Sequence, residues 1–96
     1  HMSLHDVFLA AEKIEAVKRG REIELNLIKT SPPAYKKAEY YEAVKNLSEE
    51  DWDDFVLHEF FQTLSVARIK SSYVSENFEH LLNNTRNQIA ERYKRV

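Results

Sequence analysis

The residues best equipped for chemistry in this chain are histidines beside carboxylates. His58-Glu59 and Glu79-His80 are adjacent pairs. Asp54 and Glu76 stand four residues before His58 and His80, so on a helix each imidazole meets a carboxylate of its own surface. A helical bundle built around two metal ions needs Glu-x-x-His spacings that project inward. None occurs here. Both His–carboxylate pairs therefore read as surface contacts, and the expectation is no metal and no cofactor.

Other catalytic chemistry finds little support. Cysteine is absent, which excludes thiol catalysis, disulfides and Cys-ligated zinc. Ser48, Ser65, Ser71, Ser72 and Ser75 stand without a Gly-x-Ser-x-Gly elbow, and no glycine-rich phosphate loop exists. Capping and small-residue packing explain these serines. We expect no catalytic residues and no enzyme activity.

The charges point to binding instead. Glu49, Glu50, Asp51, Asp53 and Asp54 crowd one helix start, where the helix dipole favours negative charge. They form a candidate acidic face for an unidentified protein partner. Lys18, Arg19 and Arg21 make a basic cluster, and Arg92, Lys94 and Arg95 make another. Together these six are the candidate patch for an alternative function, nucleic-acid binding. Two features argue against it. The formal net charge is −2, so no global basic field gathers nucleic acid, and no helix-turn-helix pattern is visible. The acidic and basic clusters lie at opposite ends of the last helical element. An antiparallel pair of such elements sets acid against base and helps fix register.

The elements that position these groups are helices. Gly20, Pro32 and Pro33 are the only glycine and prolines. A β-rich chain needs turn residues far more often. The fold class is therefore all-α: a small bundle of three long or four helices with a long C-terminal helical element. His1-Met2 reads as a cloning remnant and residues 3–96 as one helical domain. No stretch approaches the ~20 apolar residues of a membrane span. Without a signal-peptide pattern or cysteine, the expected location is cytoplasmic.

The first helix starts near Leu4 behind Ser3. Lys18-Arg19-Gly20 resembles a helix stop, and Glu22 to Leu27 alternates like a strand. Continuing the helix instead keeps Leu25 and Ile28 in phase with Val7, Ile14 and Val17, which favours one helix to about Lys29. Its reverse face carries Leu9, Ala16, Gly20, Ile23 and Leu27, so a helix apolar on two sides should be sandwiched between neighbours. The second helix starts at Ser31-Pro32 and reaches about Asn46. Ser48, with Asp51 three residues on, caps the third element.

That third element carries two apolar stripes. One runs in phase from Val56 to Val96. The other holds Trp52, Phe55, Val66, Ile69 and Tyr73. Unbroken, the helix is ~72 Å long at 1.5 Å per residue. One compact chain of this size cannot cover it. Either the chain turns back near Ser71–Ser75, or a second copy covers the stripe in a homodimer. The candidate self-association residues are Trp52, Phe55, Phe60, Leu64, Ile69, Val74, Phe78, Leu81 and Ile89. The expected function is that of a small protein-binding regulator, inhibitor or adaptor acting as a self-associating bundle.

Overall fold

The computed structural model describes residues 4–30, 37–67 and 71–95 and, within its helices, every side chain except those of 4–12, 30, 37, 65–67 and 71. The described residues form four helices and no strand: α1 (Leu4–Thr30), α2 (Lys37–Lys45), α3 (Glu49–Ala67) and α4 (Ser71–Tyr93). The expected starts of the first two helices, at Ser3 and at Ser31-Pro32, lie outside the described residues.

Helix α1 runs unbroken through Gly20, as the phase of its apolar residues requires, and Gly20 keeps an ordinary φ. The glycine serves a different end from a helix stop. A Cβ built at Gly20 falls 2.7 Å from the carbonyl carbon of Asp54 and 2.8 Å from the Cβ of His58. Helix α1 thus crosses α3 backbone against backbone, at a separation only glycine permits. Ala16, Val17, Ile23 and Leu27 pack against the core on this side. The other face of α1 is not sandwiched, contrary to expectation: Ile14, Leu25 and Ile28 are 56%, 45% and 54% exposed.

Helix α3 begins as its sequence dictates. The Asp51 backbone N–H donates to Ser48 Oγ at 3.2 Å, satisfying one of the free donors of the first turn. The first half of each apolar stripe is then covered. Trp52, Phe55, Val56, Leu57 and Phe60 are buried and form the core with Val44, Leu82 and Ile89. The cover comes from the same chain. Helix α3 ends at Ala67 and a new helix begins at Ser71, so the chain turns back near Ser71, the first of the two alternatives. Helix α4 then returns antiparallel along α3. Phe78 meets Phe60 edge-on at 5.3 Å, Arg86 lies 3.8 Å from Asp53, and Arg95 lies 3.2 Å from Glu49.

This return corrects the length argument for a dimer. No 72 Å helix needs a second chain, because α4 lies along α3 itself. It also shows where the complementary charges meet, which is inside one molecule. Tyr73, expected in the second buried stripe, is 51% exposed. Just beyond it, Asn77 leaves helical geometry (φ −118°, ψ 18°). Its side-chain amide donates to the Tyr73 carbonyl at 2.9 Å, the local competition with the helix ladder that bends helices at such residues.

At its far end α4 closes with Lys94 in the left-handed region, φ 56°. The Arg95 N–H reaches back to the Ala90 carbonyl at 2.8 Å, and the Lys94 N–H to Glu91 at 3.2 Å. This is the double bond of a Schellman cap, a position usually held by glycine. The cap turns Arg95 inward.

Candidate functional site

Four helices bring polar groups to one side of the core. Glu24 comes from α1, Tyr40 from α2, His58 and Glu59 from α3, and Arg92 and Tyr93 from α4. His58 is only 8% exposed. Its Nε2 is bonded to Glu24 Oε2. Neighbours on a helix point well apart, yet one ligand atom from each of Glu24, His58 and Glu59 lies within 4.8 Å of the others. Burial raises the Glu59 carboxyl above its ordinary value. The charge of Glu24 adds to this, and His58 and Arg92 oppose it. Burial likewise raises the phenols of Tyr40 and Tyr93, whose rings lie 6.2 Å apart and tilted at 58°. These two rings stay neutral across the physiological range.

The sequence did not single out Glu24. His58 was read as a surface partner of Asp54 on its own helix, and the structure corrects that: it is buried, and its partner is 34 residues away. His80 is exposed, as expected, but faces Asn84 at 3.4 Å rather than Glu76.

The acidic start of α3 is bound by cations of the same chain. Arg19 reaches Glu50 at 2.9 Å, Asp51 at 3.1 Å and Asp54 at 3.4 Å. Arg86 faces Asp53 and Arg95 faces Glu49. Glu49, Glu50 and Asp53 nevertheless stay well exposed. Burial raises the Asp54 carboxyl, Arg19 draws it down, and Glu50, Asp51 and Asp53 push it up again.

A carboxyl raised in the folded chain contributes stability below its ordinary pKa, and that contribution is lost as pH rises through the folded value. Replacing Arg19 by alanine removes the one opposing charge. Asp54 should then titrate higher still, and the acid-side gain in stability should extend to higher pH. Carboxyl NMR titration of wild type and Arg19→Ala checks this, and a downward move of Asp54 would contradict it.

The six basic candidates do not form one patch. Arg19 is bound to the α3 acids, and Lys18 lies 3.7 Å from Glu15. Arg21 is exposed on the outer face of α1. Arg92 acts on Glu59 and Tyr93. Lys94 occupies the cap. Arg95, with its side chain 13% exposed, donates to the carbonyls of Lys45 at 2.9 Å and Leu47 at 2.6 Å. Its guanidinium also lies 4.6 Å over the Trp52 ring. It joins α4 to the α2–α3 connection.

The self-association candidates divide similarly. Trp52, Phe55, Phe60 and Ile89 are buried in the chain's own core. Leu64, Val74, Phe78 and Leu81 are half-buried, with Lys13 of α1 lying 3.4 Å over the Phe78 ring. Ile69 lies outside the described residues. Among the described residues, the exposed large aliphatic side chains, Ile14, Leu25 and Ile28, stand elsewhere, on the outer flank of α1, and the exposed rings are Tyr41 and Tyr73.

Comparison with known proteins finds no matching family, no matching curated protein and no matching solved structure. The functional argument therefore rests on the chain's own chemistry. No helix among the described residues is long and apolar enough to cross a membrane.

Proposed function

We propose that this chain is a small protein-binding module that acts as a homodimer, with α1 of one copy laid antiparallel on α1 of the other. The observation that carries this is the exposure of Ile14, Leu25 and Ile28 along one flank of a helix whose opposite face is packed. Large apolar side chains left exposed along one helix flank are a mark of association sites.

The choice of a second copy comes from the pattern about Arg21. Ile14 and Ile28 lie seven residues to either side of it, and Val17 and Leu25 lie four. An antiparallel pair centred there sets Ile14 on the partner's Ile28 and lays Leu25 at the edge of the partner's Val17, a half-buried side chain that also packs against the core. The same register brings Glu15 toward the partner's Lys29 and Lys18 toward the partner's Glu22. Such self-complementarity is what a two-fold interface demands. Arg21 meets its counterpart at the axis, with Glu22 of each copy beside it. The exposed carboxylates Glu49, Glu50 and Asp53 then stand on both copies as anchoring points for a basic protein surface, in keeping with a regulator, inhibitor or adaptor.

The absence of cysteine makes a direct test simple. Arg21→Cys should form an intermolecular disulfide under mild oxidation, because the axis brings two copies of that position together. Asp53→Cys, remote from the axis, should not. Equal cross-linking at the two positions would contradict the proposed register.

A further inference from the structure

We propose that Glu24, His58 and Glu59 form a binding site for one divalent transition-metal ion of the zinc class, which clamps α1 onto α3. The three side chains offer one imidazole nitrogen and two carboxylate oxygens, all within 4.8 Å of one another. Imidazole with carboxylates suits zinc and its neighbours, whereas magnesium takes oxygens alone and keeps much of its water. Zinc bonds to such atoms are about 2.0–2.2 Å long. The ligand atoms therefore need to draw together by no more than side-chain rotation supplies.

The surroundings favour one chelated ion over a loose contact. His58 is held in the wall of the core, so its ring is already oriented. Gly20, one turn before Glu24, holds the two helix backbones close enough for the carboxylate of α1 to reach the imidazole of α3. Two carboxylates converge there, and Arg92 is the full cation that acts on Glu59. A divalent ion supplies the missing positive charge between them, and water completes its coordination. Zinc takes the imidazole in its neutral form, so Glu24 must exchange its bond to His58 for a bond to the metal.

The test uses the full chain, cleared of metal by a chelator and titrated with Zn2+, Co2+ and Mg2+. Zinc should bind one-to-one and raise the thermal midpoint, and Mg2+ should do neither. Co2+ should develop the visible absorption of a low-coordinate nitrogen–oxygen site and lose it on addition of Zn2+. Glu59→Gln keeps the fold because Glu59 is only half-buried, and it should weaken zinc at least ~10-fold. Glu24→Gln can keep a hydrogen bond to His58 and should weaken it similarly. The control variants His5→Ala and His80→Ala should bind zinc as wild type does. The site would be refuted by a zinc effect that survives Glu24→Gln and Glu59→Gln, by one lost in His80→Ala or His5→Ala, or by no zinc effect at all.

Discussion

Replacing Gly20 by alanine should destabilise the chain by about 3 kcal/mol or more, although alanine is the better helix former. In an exposed helix interior the same change gains about 1 kcal/mol. Here the added methyl meets the backbone of Asp54, which belongs to α3 and cannot rotate away as a side-chain tip could. The helices must separate, and every contact of Ala16, Val17, Ile23 and Leu27 loosens with them. Overpacking typically costs about 1–3 kcal/mol, and more where backbone must move. For a domain of this size each kcal/mol moves the thermal midpoint by roughly 4–8 °C. A fall of at least ~12 °C is therefore expected in circular dichroism melts. A rise would show that α1 and α3 do not cross at Gly20.

Arg95→Ala should cost about 2–4 kcal/mol, a large effect for an arginine near the end of the described chain. Hydrogen bonds from a charged donor contribute about 1.5–3 kcal/mol each. Arg95 makes two to the carbonyls of Lys45 and Leu47, contacts Glu49 and covers the Trp52 ring. Its side chain is mostly buried, so solvent screens little of this. Lysine should not rescue it. An ammonium is a single compact point charge, whereas the planar guanidinium bonds two carbonyls while stacking on indole. Denaturant melts of wild type, Arg95→Ala and Arg95→Lys measure the difference. A near-neutral Arg95→Ala would return that side chain to the pool of free surface cations and reopen nucleic-acid binding.

How far the sequence revealed these features depends on how local their causes are. Helical continuity through Gly20 was readable, because the phase linking Ile14, Leu25 and Ile28 depends only on spacing along one helix. The reason for Gly20 was not, because it lies in the backbone of Asp54 on another helix. The cap at Ser48 was readable from three residues. That the chain turns back near Ser71 was only one of two open alternatives, because neither glycine nor proline stands there and the apolar phase runs straight across.

Charge complementarity between the ends of the last element was visible, but sequence could not distinguish pairing within one chain from pairing between two. Covering Trp52, Phe55 and Phe60 in cis takes α1 as well as α4, and no local pattern shows how those helices lie on α3. His58 misled most. Asp54 offered it a partner one helical turn away, whereas the bond it makes is to Glu24, which no local pattern connects to it. Among the described residues, the α1 flank of Ile14, Leu25 and Ile28 was expected to be covered and stands bare.

Pairing through that flank is measured most directly by sedimentation equilibrium of wild type and Ile28→Glu. Ile28 is exposed, so the substitution leaves the core intact, and circular dichroism should show unchanged helix content. Wild type should sediment as a dimer in the micromolar range, and Ile28→Glu as a monomer, because the new carboxylate must be buried against the partner's Ile14. A wild type that stays monomeric at high micromolar concentration, or an Ile28→Glu that stays dimeric, would contradict association through α1.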